Sequence, residues 1–295
     1  MERKLDNGIC FRTLPTEADV YLDMALGMLD VVLKNNAARR KTVFIVPVGP
    51  TGQYPVFATL VNRLNVSLKD VHFFNMDEYL ITPTQTIGET HPMSFHARMK
   101  SEFYDRVRPE LVMAENHRHF PQPGHEAAYD RLIAELGGVD LCLGGLGING
   151  HIAFNEPPEP DESVTAKEFA GLGTRVLRIT RETRTINAYG YQRGDIRGMP
   201  EYCITIGMKQ ILASRAVYIA LNRDWQHGIV KHVLFDGVQA QIPASLLQGH
   251  PDVLFCAPET LFKDNILEML ASCRVDCIAI DEAHCISEWG HDFRP

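Results

Sequence analysis

The stretch Val139-Asp-Leu-Cys-Leu-Gly-Gly-Leu-Gly-Ile-Asn-Gly-His-Ile-Ala-Phe-Asn-Glu-Pro157 constrains the fold more than any other part of the chain. It starts as an apolar run, Val139 to Leu143, of the kind that forms a strand buried on both faces. It then breaks into Gly144, Gly145, Gly147 and Gly150, which permit tight turns and let a backbone approach a ligand closely. His151, Asn155 and Glu156 follow at once. An imidazole that titrates near neutrality and a carboxylate, both just past a strand end, are the parts of an acid–base site. A glycine-rich turn with incidental polar residues is the competing reading, because such loops are common.

The flanking sequence alternates strands with helices. Thr16-Glu-Ala-Asp19 is a capping box, followed by Val20, Met24, Met28 and Val32 on one helical face, with the helix ending near Asn35-Asn36. Thr42 to Val46 and Val71 to Phe74 are strands of β-branched and aromatic residues. Helical sequence runs to about Leu64, from Met93 to Val107, and from Glu126 to Leu136. Beyond the central stretch, Thr174 to Thr180, Glu201 to Ile206, Ala216 to Leu221 and Val253 to Cys256 read as strands. Met208 to Ala213 and Trp225 to Phe235 read as helices. This order predicts an α/β fold: an open, mostly parallel, Rossmann-like sheet with helices on both faces.

Three of these strands end in unusual turns. Val46 precedes Gly49-Pro50-Thr51-Gly52, Phe74 precedes Asp77-Glu78, and Leu143 precedes the glycine loop. Ligands of open parallel sheets sit outside the carboxyl ends of the strands. If the three strands are neighbours, one crevice receives a backbone N–H cradle for phosphate, a carboxylate pair, and His151 with Glu156. Each piece has a plainer reading. Gly49 to Gly52 is also an ordinary turn, and no Gly-Lys-Ser/Thr follows it. Asp77-Glu78 also suits a helix N-terminus. His117, His119 and His125 lack paired ligand spacing and read as a solvated loop, so no metal site is expected.

Composition narrows the function classes. Lys plus Arg is 29 and Asp plus Glu is 37, a net charge of −8. That mild acidity argues against a nucleic-acid or anionic-membrane surface, which needs a clustered basic face. Seven cysteines, an odd number without a Cys-x-x-Cys pair, suit a reducing cytoplasm better than a disulfide framework. The N-terminus lacks the apolar core of a signal peptide, and no apolar run approaches transmembrane length.

Asn75-Met-Asp-Glu-Tyr79 and Gly147-x-Asn-Gly-His-Ile-Ala-Phe-Asn-Glu-Pro157 closely resemble the glucosamine-6-phosphate deaminase (isomerase) family. Glu182-Thr-Arg184, Ile242-Pro-Ala-Ser and His250-Pro251 also fit, so the resemblance spans roughly residues 10 to 256. It implies conversion of an amino-sugar phosphate to a ketose phosphate and ammonia without a cofactor, by a cytoplasmic homo-oligomer. It implies Asp77 as the base that moves a proton between C2 and C1. His151 would shuttle the ring-opening protons, oriented by Glu156, with Asn149 completing the catalytic group. Gly49, Pro50, Thr51, Gly52, Glu78, Gly147, Arg184 and His227 would hold the substrate, Arg184 clamping its phosphate.

The chain departs from the family at three places. Asn149 stands where the family usually has Asp, which removes a charge that could hold a substrate ammonium. Galactosamine-6-phosphate isomerase relatives also carry Asn there. Val48-Gly-Pro-Thr-Gly52 replaces the usual Thr-Gly-x-Thr-Pro, and His227 aligns with a lysine expected near the phosphate. A sugar-phosphate lactonase, an isomerase of non-amino sugars and an impaired sugar-phosphate sensor are the competing functions.

The C-terminal end resembles something else. Ile278-Ala-Ile-Asp-Glu-Ala-His-Cys-Ile-Ser-Glu-Trp-Gly-His-Asp-Phe-Arg-Pro295 is similar to RecQ-type DNA helicases over their Asp-Glu-Ala-His box. In that family Asp281 and Glu282 would serve Mg²⁺ and water activation. A phosphate loop is missing, so an isolated box has no means of holding a nucleoside triphosphate. The expected organisation is a sugar-phosphate domain over residues 1–256, then a truncated, non-functional fragment over 257–295. No nucleic-acid partner is expected.

Overall fold

The computed structural model describes residues 2–259. The segment that resembles a helicase, with Asp281 and Glu282, lies outside the described residues, as does almost all of the proposed C-terminal domain.

Eight strands form the main sheet: β1 (Glu2–Lys4), β2 (Cys10–Leu14), β3 (Thr42–Val46), β4 (Val71–Asn75), β7 (Arg118–His119), β8 (Leu141–Gly145), β11 (Ala216–Ala220) and β12 (Val253–Pro258). Their spatial order is β1-β2-β12-β11-β8-β3-β4-β7. Every pairing in it is parallel except β1 with β2. The helices are α1 (Glu17–Ala37), α2 (Gln53–Leu64), α3 (Phe95–Glu102), α4 (Glu126–Glu135), α5 (Ala166–Ala170), α6 (Arg181–Tyr191), α7 (Met208–Leu212) and α8 (Gln226–Phe235). None of the described helices is long and apolar enough to cross a membrane.

The chain runs outward from β3 to β4 and β7, returns to β8 on the other side of β3, and then runs outward again to β11 and β12. The reversal therefore falls between β3 and β8, where a doubly wound sheet opens its crevice. Asp140, buried just before β8, locks that junction. Its carboxylate accepts from the Val43 N–H at 2.9 Å, from Arg215 at 2.7 Å and from Arg40 at 3.2 Å.

Local sequence explains the best-formed elements. Thr16 accepts from the Asp19 N–H while the Asp19 carboxylate accepts from the Thr16 N–H, so the expected capping box starts α1. Its Val20, Met24, Met28 and Val32 are fully buried, in a core shared with Phe44, Phe57 and Phe73 on one face of the sheet. A second core on the other face gathers Ile45, Phe74, Cys142, Ile219 and Phe255. All five residues of β3 and all five of β4 are buried, as continuous apolar strands of a covered parallel sheet should be.

Three features depart from the sequence expectation. Asp77 and Glu78 do not lie in a loop: they open β5 (Asp77–Thr82), directly after β4. The expected strands near 174–180 and 201–206 form β9 (Arg175–Arg178) and β10 (Tyr202–Thr205), outside the parallel sheet. With β6 (Gln85–Thr86) they build a separate antiparallel sheet in the order β6-β5-β10-β9. Periodicity marks a strand but not its partner, so the second sheet was not legible. The helix expected over Met93 to Val107 is also shorter, ending at Glu102 before a 3-10 turn over Tyr104–Arg106.

Asp140→Ala leaves the Val43 N–H and two guanidinium groups without their carboxylate. Chemical denaturation should show a loss of about 1–3 kcal/mol, chiefly the cost of stranding the buried Val43 N–H; an unchanged unfolding midpoint would mean that the β3–β8 junction does not depend on it.

Candidate active site

A cavity of about 150 Å³ opens at the β3–β8 reversal. The turn after β3 contributes Val48, Gly49 and Pro50, the start of β5 contributes Asp77, and the loop after β8 contributes Gly147 and His151. Asn187 comes from α6, Asn222 and Arg223 from the connection between β11 and α8, and Gln226 from the first turn of α8.

Glycine brings the walls together. A Cβ at Gly145 would lie 2.8 Å from the Gly49 carbonyl oxygen, so the turns after β3 and β8 touch backbone to backbone. A Cβ at Gly147 would lie 2.1 Å from His151 Nε2, so the imidazole rests against a position that only glycine can fill. The rest of the loop is stapled to the antiparallel sheet. Phe154 N–H donates to Thr205 Oγ1 at 3.0 Å, and Asn155 Nδ2 donates to the Ile206 carbonyl at 2.9 Å. Thr205 is the strand partner of Asp77, so the sheet that holds Asp77 also holds the histidine loop.

Asp77 is 6% exposed. Burial, then the adjacent Glu78 charge, push its carboxyl well above the usual carboxylate range. Such a group is a stronger base than a solvated aspartate, which suits proton abstraction from carbon near neutral pH.

Behind His151 stands a polar network. His151 Nδ1 is 2.8 Å from Asn149 Oδ1, 3.3 Å from Glu156 Oε2 and 3.3 Å from Thr183 Oγ1. Asn149 Nδ2 donates to Glu156 Oε2 at 2.7 Å, and Thr180 and Thr183 hydroxyls each donate to the same oxygen at 3.1 Å. Burial alone would raise the Glu156 carboxyl. Interaction with His151 and hydrogen bonds from His151, Asn149 and Thr183 outweigh it and hold the group below its ordinary value, hence ionised. A carboxylate behind an imidazole is the arrangement of a proton-shuttling histidine.

The structure thus brings together Asp77, His151, Gly49, Pro50 and Gly147 in one lining, with Glu156 and Asn149 directly behind His151. It does not bring in the others. Glu78 points to α3, where its carboxylate accepts from the Phe95 and His96 N–H groups and the Ser94 hydroxyl; it caps that helix. Thr51 is outside the lining, and Gly52 faces the Tyr21 ring, which a Cβ there would meet at 2.3 Å. Arg184 is turned to the 196–201 segment, donating to the Ile196 and Met199 carbonyls at 3.3 and 3.2 Å, with Glu201 beside it. His227, in the first turn of α8, is also outside the lining.

Sequence reading missed Arg223, the one Arg or Lys in the cavity lining among the described residues. It follows the carboxyl end of β11, and the strand-end rule that located the other turns applies to it equally. It also missed Thr180 and Thr183. Thr180 caps α6 by accepting from the Thr183 N–H, a spacing visible in the sequence.

Of the histidines read as a solvated loop, His125 is exposed, but His117 and His119 are half-buried. His117 stacks on His72 with ring centroids 3.9 Å apart, and His119 Nε2 lies 3.1 Å from His72 Nδ1. Burial, reinforced by the neighbouring imidazoles, pushes His72 and His119 down to about 4, so both stay neutral. Among the described residues no cluster of three or more His, Cys, Asp or Glu could hold a metal ion.

No family model matches the chain. It is 32% identical over 203 residues to a glucosamine-6-phosphate deaminase of Phocaeicola vulgatus, covering 68% of this chain and 72% of that protein. It is 32% identical over 216 residues to a glucosamine-6-phosphate deaminase of Rhodopirellula baltica, covering 71% and 78%. Among solved structures, a monomeric glucosamine-6-phosphate deaminase superposes with a TM-score of 0.73 at 23% identity, covering 86% of this chain and 98% of that one. A 6-phosphogluconolactonase from Trypanosoma brucei superposes at 0.61 with 14% identity, covering 86% and 97%. These structures share the fold.

The raised Asp77 carboxyl carries a sign for stability. A group whose folded value lies above its unfolded value of about 3.9 favours folding while protonated and loses that contribution as pH rises through the folded value. Asp77→Asn should therefore unfold about 2–4 °C higher than the unchanged chain at pH 8, with the gap closing toward pH 4. A lower melting temperature at pH 8 would contradict the burial of an ionisable Asp77.

Proposed function

This chain belongs to the glucosamine-6-phosphate deaminase family, and we propose that it isomerises and deaminates a hexosamine 6-phosphate, yielding a ketose 6-phosphate and ammonia. The observation that carries this reading is the shared cavity of Asp77 and His151: a buried carboxylate base and a carboxylate-backed imidazole facing one small volume.

The chemistry divides between them. His151 Nε2 takes the proton of the anomeric hydroxyl and returns it to the ring oxygen, which opens the sugar. Glu156, 3.3 Å behind, stabilises the imidazolium that forms between the two transfers. Asp77 then removes the proton on C2 and delivers it to C1. With one proton also passing from the amine nitrogen to the C1 oxygen, this converts the amino aldehyde into an enolamine and then a C2 imine bearing a C1 hydroxyl. Water adds to the imine carbon and ammonia leaves, so that hexosamine phosphate plus water gives ketose phosphate plus ammonia.

The phosphate falls to the other end of the cavity. The Gly49-Pro50 turn supplies backbone there, and Arg223 supplies the positive charge that the sequence reading gave to Arg184. A guanidinium on a loop presents planar donors to phosphate oxygens. Asn187, held by its Nδ2 on the Tyr79 hydroxyl at 3.2 Å, offers its carbonyl oxygen to a sugar hydroxyl or ammonium. A lactonase reading is supported by shared fold alone, at 14% identity, whereas the 32% relatives are deaminases.

The test is a paired measurement of ammonia and ketose on glucosamine 6-phosphate and galactosamine 6-phosphate. The expected outcome is both products in equal amounts from at least one sugar. Asp77→Asn should lower the rate by about 10²–10⁴-fold, the usual worth of a positioned general base. Arg223→Ala should raise KM more than it lowers kcat. Hydrolysis of a sugar-phosphate lactone without ammonia release from either hexosamine would overturn the reading.

A further inference from the structure

β8 and β11 stop pairing at Gly145 and Ala220, and the chain opens there into two turns that both line the cavity. Beyond β8 come Leu146 and Gly147, and His151 rests against Gly147. Beyond β11 come Asn222 and Arg223. Past the last backbone pair, one side chain bridges the two turns. Gln226 is buried in the first turn of α8. Its Oε1 accepts from the Asn222 N–H at 2.7 Å and from the Arg223 N–H at 2.8 Å. Its Nε2 donates to the Leu146 carbonyl at 2.7 Å. A primary amide has an acceptor end and a donor end, as a peptide unit does. The Gln226 amide therefore continues the ladder between β8 and β11 where backbone no longer reaches backbone. Its partners fix which way it lies: turned over, the NH2 would face two N–H groups and the oxygen would face a carbonyl.

This pattern decides what the Arg223 turn can offer an anion. Backbone N–H groups in such turns are common phosphate donors. Here those of Asn222 and Arg223 are engaged by Gln226, and Pro50, in the turn after β3, has none. The Asn222 side chain is bound to α1, donating to the Tyr21 hydroxyl at 2.7 Å and to Glu17 at 3.0 Å. The attraction for an anion at this end of the cavity therefore comes from the Arg223 guanidinium, and its turn is held by Gln226.

We propose that Gln226 is a positioning residue: it fixes Arg223 for the substrate phosphate and sets the span between that guanidinium and the histidine loop. The inference rests on the reading of Arg223 as the phosphate-binding cation. A side chain at 226 without the two amide ends leaves the Asn222 and Arg223 N–H groups and the Leu146 carbonyl to find other partners, and the turn is no longer tied to the glycine loop. A loosened turn must be ordered each time phosphate binds. The loss then falls on binding of the phosphate end more than on the proton transfers at C1 and C2.

The test measures kcat and KM on glucosamine 6-phosphate and galactosamine 6-phosphate, and the dissociation constant of inorganic phosphate. The proteins compared are the unchanged chain, Gln226→Met, Arg223→Ala and the double variant. Methionine keeps the length of glutamine and removes both ends of the amide. Gln226→Met should raise KM and the phosphate dissociation constant by about tenfold, while kcat falls by no more than about threefold. In the Arg223→Ala background the same substitution should change either constant by less than about twofold, because the group it positions is gone. A residue that only supports the fold would weaken both backgrounds equally. Gln226→Asn stands in if the methionine variant does not fold, with the same pattern expected: its amide is one methylene too short to reach the two N–H groups and the Leu146 carbonyl together. A phosphate dissociation constant unaltered by Gln226→Met, or an equal loss in both backgrounds, would overturn the proposal. If neither hexosamine phosphate is turned over, the functional reading fails and phosphate binding decides alone. If Arg223→Ala leaves phosphate binding unaltered, Arg223 is not the phosphate cation and the role of Gln226 is refuted with it.

Discussion

The site depends on a backbone contact, the approach of Gly145 to the Gly49 carbonyl where β8 returns beside β3. With any side chain at 145 the two turns would have to separate, and the cavity would lose one of its walls. Glycine at this point is not a source of flexibility. It lets two strand ends close to van der Waals distance, so that groups from β5, the glycine loop and the β11–α8 connection face the same volume. Asp140 secures the other end of the same strand pair, and both faces of the sheet there are covered by apolar cores. The geometry is therefore set by a strand pair buried between two packed cores, where displacements are costly.

Electrostatics inside that frame separate two carboxylates into two roles. Burial and the neighbouring Glu78 charge raise the proton affinity of Asp77; Glu156 is surrounded by donors and stays ionised. Environments that push two acids apart in this way assign a base and a supporting charge. The amide of Asn149 donates to Glu156 and presents its oxygen to His151, so donors and acceptors behind the ring are matched.

Much of this was legible in the sequence, for physical reasons. The capping box at Thr16, the apolar strands β3 and β4, and the glycine loop are local signals, and each was found where the residues placed it. The crevice at the strand ends followed from the α/β order. What stayed hidden depends on partners far along the chain. Glu78 looks like half of an acidic pair, and only the folded chain shows it capping α3. Arg184 matches a phosphate-binding position by motif, yet its guanidinium bonds to carbonyls of the 196–201 segment. The antiparallel sheet was missed because alternation identifies a strand without naming its neighbour. Arg223 lacks a motif of its own and gains meaning only from lining the same cavity as the Gly49-Pro50 turn.

The most direct test of the shared site is a crystal structure with a hexosamine 6-phosphate reduced at C1, an open-chain compound that cannot isomerise. The expected result places C1 and C2 against the Asp77 carboxylate, the C1 or C5 hydroxyl within hydrogen-bond reach of His151 Nε2, and the phosphate between the Gly49-Pro50 turn and Arg223. A compound bound with its carbon chain away from Asp77, or seated anywhere other than the β3–β8 crevice, would contradict the assignment.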